Sequence, residues 1–310
     1  MISFAASVKK ELTQLTVNKE EARAELSALI HMNGSLQIIS RELSINAQTE
    51  NAAIAQRIYT LLRDFFKCYG EVIVRKKMKL KKNNVYIVRV KTHVERLLEE
   101  LGIMGEDSLW QIAPQGIISS EEAIRAYLRG AFLARGSVNN PETSSYHLEI
   151  YSEDQEQAKQ LKKLMNSYKL NARLTDRRHG YIVYLKEAEK ISDFLALIGT
   201  TQAILRFENV RVTRDMRNTV NRMVNCENAN MNKTIDAATR QIRNIQRIQN
   251  SVGLAKLPEK LQEMAQVRLE NPSATIKELG ELIPSGPVSK SGVNHRLRRL
   301  NQIAEALKEE

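Results

Sequence analysis

Hydrophobic positions along the chain switch between two periods. From Glu20, apolar and small residues at helical spacing (Ala24, Leu26, Ala28, Leu29, Met32) predict a helix with a small, apolar surface. Gly34 is expected to stop it in a left-handed conformation. Residues 35–40 and 42–48 then alternate as two strands. Ile54, Ile58, Leu61, Leu62 and Phe65 mark one side of a helix over Asn51–Lys67. Residues 71–91 read as a hairpin turning near Asn83–Asn84, and residues 92–102 as a closing helix. The same order returns about 100 residues later, the offset between Gly34 and Gly136. A helix over Ser119–Ala134 is followed by a strand at 147–152 and a helix over Asp154–Tyr168. A hairpin turning at His179–Gly180 and a helix over Ala188–Ile198 complete the second copy. An internal duplication is the economical reading, with each half helix, two strands, helix, two strands, helix. Residues 1–17 read as a lead-in helix.

The tail has a different pattern. Ile276, Leu279 and Ile283 give one apolar face, and Val293, Leu297, Leu300, Ala304 and Leu307 give another. Pro284, Gly286 and Pro287 break the chain between them. Residues 257–271 supply a preceding helix. Ser289 or Ser291 is expected to cap the last helix, whose other face carries Lys290, Asn294, His295, Arg298 and Arg299. That is the layout of a helix-turn-helix, with polar and basic side chains free for a DNA major groove. A solvated basic face on an ordinary helical hairpin has the same pattern. In the DNA reading, Ser289, Ser291, Asn294, His295, Arg298 and Arg299 meet DNA, and Lys290 and Arg296 contact phosphate.

Residues 206–250 contain neither proline nor glycine and carry nine basic and four acidic side chains. They are expected to form two helices with a break near Asn225–Asn230. Ile235, Ala238, Ile242 and Ile245 form an apolar stripe, and Arg240, Arg243 and Arg247 a basic one, for packing, for DNA backbone, or both. Gly253 and Pro258 suggest a hinge. The expected divisions are 1–112, 113–205, 206–255 and 256–310.

Charge sharpens this picture. The net charge is +11 over 310 residues, which suits a polyanion. Eight basic and no acidic side chains lie between Val72 and Val94. Period two puts Arg75, Lys77, Lys79 and Lys81 on one face. Arg173, Arg177, Arg178 and His179 cluster in the matching hairpin. These are candidate contacts to DNA backbone; edge lysines that prevent strand pairing would look the same. There is no run of about twenty apolar residues for a membrane span, and MISFAASVKKEL is not expected to act as a signal peptide. Cys68 and Cys226 suggest unpaired thiols in a reducing cytoplasm, and no zinc pattern is present.

Two segments carry a closer likeness. LRGAFLARG (Leu128–Gly136) and LSALIHMNG (Leu26–Gly34) resemble the LAGLIDADG motif of homing endonucleases. The resemblance implies two motif helices packed through small residues, here Ala28 and Gly130, and ended by Gly34 and Gly136. The acidic residue before the final glycine is replaced by Asn33 and Arg135. The other acidic position falls on His31 and Leu133. Without those oxygens hard cations have no seat, so no catalytic activity, no metal and no cofactor are expected.

With SFAASVKKEL, VNCENANMNKT (Val224–Thr234), and TIKELGEL followed by PVSKSGVNHRLRRL, the whole chain resembles the WhiA family of bacterial regulators. The resemblance implies an α+β fold, with a duplicated LAGLIDADG-like domain followed by an all-α helix-turn-helix domain. It also implies a cytoplasmic, nucleoid-associated protein that binds double-stranded DNA in sporulation gene control or in cell division and chromosome segregation. The duplicated domain would add backbone contacts or bind a protein partner, or RNA.

Overall fold

The computed structural model describes residues 3–39, 42–76, 84–104, 116–143 and 145–307. The chain divides into two compact units, Met1–Arg214 and Asp215–Glu310.

The first unit is the duplication. A lead-in helix α1 (Phe4–Leu12) precedes α2 (Lys19–Asn33), β1 (Gly34–Ile39), β2 (Glu42–Thr49), α3 (Ala52–Phe66), β3 (Glu71–Arg75), β4 (Val85–Val90) and α4 (Val94–Glu100). The second copy runs α5 (Glu121–Arg135), β5 (Gly136–Val138), β6 (Leu148–Ser152), α6 (Gln155–Ser167), β7 (Arg173–Arg177), β8 (Gly180–Leu185) and α7 (Ala188–Leu197). Each copy has one antiparallel four-stranded sheet, ordered β1-β2-β4-β3 and β5-β6-β8-β7. Ile45, Val88 and Val90 of one sheet and Ile150, Val183 and Leu185 of the other enter a single core with both motif helices.

The motif helices α2 and α5 pack on each other along the seam of the two copies. Both are buried on most sides, which suits a central helix. Small residues let them approach: a Cβ added at Gly130 would strike the Glu25 carbonyl and lie 2.9 Å from the Ala28 methyl carbon. Glu25, fully buried, is held from both sides. Arg57 of α3 donates through Nε to Oε1 at 2.7 Å and through Nη2 to Oε2 at 3.1 Å. Arg129 of α5 donates through Nε to Oε2 at 2.7 Å. Arg57 also donates to the Leu15 carbonyl at 2.6 Å, which fixes the α1–α2 loop.

Gly34 corrects an expectation. It ends α2 with φ −85° and ψ 154°, extended rather than left-handed. Its lack of a side chain matters for space instead, since a Cβ would strike the Ile30 carbonyl. Residues 206–250 are a second correction. They lie in one continuous helix, α8 (Gln202–Ser251), with no break at Asn225–Asn230. That stretch costs helix propensity of at most about 0.7 kcal/mol per residue but removes no backbone donor. Both ends of α8 are anchored. Glu11 of α1 accepts N–H groups from Thr201, Gln202 and Ala203 at 2.5–3.0 Å, a carboxylate at a helix N-terminus. At the other end Ile245 and Ile248 enter the core of the second unit.

The second unit combines that end of α8 with α9 (Glu259–Glu270), α10 (Ile276–Glu281) and α11 (Lys290–Ala306). Leu261, Met264, Leu279, Ile283, Val293, Leu297 and Leu300 close around Ile245 and Ile248. Gly253 therefore turns the chain within one core, with φ 82°, and is not the expected hinge. The core of this unit includes residues before 256. Arg268, 1% exposed, donates to Gln241 Oε1 at 2.9 Å and to the Ala274 carbonyl at 2.7 Å, tying α8 to the α9–α10 loop. Gly280 receives the turn: Val288 N–H donates to its carbonyl at 2.9 Å, and a Cβ there would strike the Val288 carbonyl.

Glu25→Ala removes the carboxylate that two buried guanidinium groups share, leaving Arg129 only Glu21 at 3.9 Å. It is expected to destabilise the first unit by about 3–5 kcal/mol, read as a lower urea midpoint of its unfolding transition. Gly280→Ala gains about 1 kcal/mol of helix propensity. The steric conflict with Val288 is expected to outweigh that by about 1–3 kcal/mol, and a thermal transition at or above wild type would contradict this packing.

Candidate nucleic-acid interface

Ser289 starts α11, its hydroxyl accepting the Gly292 N–H at 3.3 Å; of the two candidate caps it is the one used. Burial of Val293, Leu297, Leu300 and Ala304 fixes the rotation of the helix. Ser289, Lys290, Ser291, Asn294, His295, Arg298 and Arg299 are consequently exposed. Among the described residues Arg299 reaches only Gln302 Oε1, one turn on, at 3.1 Å. Arg296 departs from the expected phosphate contact. Its side chain, 15% exposed, donates to the Lys260 carbonyl at 3.4 Å and lies 3.9 Å from Glu263. It therefore ties α11 to α9. Arg240 and Arg243 are exposed on α8 and Arg247 is half-buried.

In the first unit the strand register puts Ser35, Gln37, Asn46, Gln48, Arg89 and Arg75 on the sheet face away from the core. Arg89 donates to Asn46 Oδ1 at 2.7 Å. Arg75 is exposed at the end of β3, whereas Lys77, Lys79 and Lys81 lie outside the described residues. In the second copy Arg173, Arg177, Arg178 and His179 are exposed along β7 and its turn. That face also carries acidity: Glu149 pairs with His147 at 2.9 Å, and the His147 ring stacks on Tyr184.

Between the two sheets, where α2 and α5 end, lies an open cleft of about 1570 Å³. Asn33 and Arg135, the positions expected to have lost their acids, both line it, as does His31. Arg135 donates to the Met32 carbonyl and to Glu153 Oε1, both at 3.2 Å. Its guanidinium lies 5.9 Å from the Tyr151 ring centroid. The His31 imidazole meets Gln157 through Nδ1 at 3.0 Å. Burial pulls its pKa down to about 4 against the opposing pull of Asp154, so it is neutral at pH 7. Leu133 is buried in the core. Among the described residues no group of three or more His, Cys, Asp or Glu could hold a metal ion.

Sequence reading missed three residues here. Glu25 and Arg129 were legible only as charges inside two otherwise small and apolar motifs. Lys9, on α1, lines the cleft beside Arg135 and carried no signal beyond the docking of its own helix.

Three family profiles match the chain. The WhiA N-terminal LAGLIDADG-like domain covers residues 19–104, the WhiA LAGLIDADG-like domain 124–217, and the WhiA C-terminal HTH domain 220–304. A probable cell division protein WhiA from Enterococcus faecalis is 58% identical over 99% of both chains. The corresponding protein from Lactiplantibacillus plantarum is 56% identical over the full length of both. The crystal structure of full-length DUF199/WhiA from Thermatoga maritima superposes with a TM-score of 0.61 at 27% identity, covering 99% of this chain and 98% of that one. With its duplicated motif helices and its helix-turn-helix in one chain, and with full-length relatives at this identity, the chain belongs to the WhiA family.

Proposed function

We propose that this chain is a non-catalytic, double-stranded DNA-binding regulator. It acts in the cytoplasm on the nucleoid, in the control of sporulation-type genes, cell division and chromosome segregation. The observation that carries the reading is α11. Its apolar stripe is spent on the core, while Ser291, Asn294, Arg298 and Arg299 are left exposed with Lys290 and Ser289 at its start. Arg donates bidentately to guanine, and Asn donates to adenine N7 while accepting from its N6 amino group, so this set is suited to base edges in a major groove. Ser289 and Lys290 sit where a helix N-terminus meets phosphate. The names of the relatives, which place them in cell division, are in keeping with this role.

Cleavage is not part of the proposal. A metal-dependent nuclease seats its cations on carboxylate oxygens, and the two motif helices end here in Asn33 and Arg135. A guanidinium at that place repels a divalent cation. The duplicated domain adds backbone contacts through Arg75, Arg177 and Arg178, with Arg240, Arg243 and Arg247 on α8 as further candidates. A second reading has support in β3, an edge strand with Val72 and Val74 about half exposed. There the first unit engages a protein partner and DNA serves as anchorage.

Replacing Arg298 and Arg299 together by Ala is expected to weaken binding to a cognate duplex by about 1–3 kcal/mol for each base-reading contact. An unchanged Kd at fixed salt would defeat the groove-reading role. In the wild-type protein, log affinity against log salt is expected to fall with a slope of about −0.9 per phosphate neutralised. A flat plot would leave the partner reading in its place.

A further inference from the structure

The cleft between the two sheets holds a second group that no motif marks. Phe4, Val8 and Leu12 anchor α1 in the core, and this places the intervening Lys9 half-buried on the cleft. The Lys9 ammonium lies 5.8 Å from the Phe132 ring centroid and makes no ion pair among the described residues. Burial and, next, the charge of Arg135 hold its pKa down to about 8. Two cations thus share one end of α5. Three carboxylates, Glu50, Glu153 and Asp154, also line the cleft. Glu153 meets Arg135 from the rim with its side chain 71% exposed. Asp154 accepts the Gln157 N–H at 2.8 Å as the cap of α6, and Glu50 is exposed at the end of β2.

We propose that Lys9 and Arg135 form a phosphate-binding site at the floor of this cleft, accepting a phosphate ester. A desolvated ammonium beside a like charge is unfavourable by itself. An anion placed between them relieves both the desolvation and the repulsion. The two groups are complementary for that task, with Arg135 offering a planar donor fork and Lys9 a compact point charge. Glu153 is the natural competitor, exposed enough to swing away from Arg135 when the ester arrives. Asn33, Ser35, Gln48 and Asn51 surround the floor with neutral polar groups, and the volume admits more than one phosphate group. The ester has two possible sources, a free mononucleotide or a diester of duplex backbone. The site does not depend on groove reading by α11.

The test uses the full-length protein carrying Arg298→Ala and Arg299→Ala, so that α11 does not report. Acylation of Lys9 by an amine-reactive reagent at pH 8 is followed by mass spectrometry, with exposed Lys10 as the internal control. Thymidine monophosphate and a duplex are the two probes. Saturable protection of Lys9 but not of Lys10 is expected. Protection by the mononucleotide assigns a free ester, and protection by the duplex alone assigns backbone. Arg135→Gln is expected to raise the half-protecting concentration about tenfold, the size of one charge-assisted hydrogen bond. Glu153→Gln, at an exposed position, is expected to lower it. No protection by either probe, or a half-protecting concentration that Glu153→Gln leaves unchanged or raises, overturns the site.

Discussion

The first unit depends on one buried carboxylate. Glu25 sits on the seam between the two copies, and its oxygens are divided between Arg57 of the first copy and Arg129 of the second. Small residues such as Gly130 and Ala28 permit α2 and α5 to approach, but permission leaves the sliding register loosely specified. The ion pairs supply the register. A slip of either helix would strand a charge in the core, which costs far more than a lost apolar contact. Because the Glu25–Arg129 pair joins one copy to the other, it also makes the duplication a single core.

That register places the ends of α2 and α5, and with them the cleft. Asn33, His31 and Arg135 meet there because both helices end together, each at a glycine with extended backbone. The groups at this point are an arginine, a half-buried lysine, a neutral histidine and amides, with three carboxylates also lining the cleft. The scaffold resembles one that seats cations on acids, but here Asn33 and Arg135 stand at the two helix ends. No new fold is needed for that change, since it follows from side chains at two helix ends and one residue of the lead-in helix.

In the second unit the constraint is the burial of Val293, Leu297 and Leu300, which fixes the rotation of α11 and leaves its basic face outward. Arg268 and Gly280 hold the loops that set its position, one by hydrogen bonds and one by having no side chain. Arg296 shows how finely that rotation sorts neighbours, since it is turned to Glu263 while Arg298 and Arg299 face solvent.

The sequence by itself determined the duplication, nearly all of the helices and strands, the small-residue positions at the seam, the lost acids and the two faces of α11. All of these are periodic or local, and a period is visible in one dimension. The tertiary structure decided what depends on contacts between distant residues. Glu25 finds Arg129 across 104 positions, Lys9 reaches the cleft through the docking of α1, and Ile245 and Leu257 share a core across Gly253. The unbroken α8 belongs to the same class. Its asparagines read as a break because local propensity is weak there, and the helix persists because packing at both ends outweighs a propensity cost of a few tenths of a kcal/mol per residue, about the spread among ordinary residues.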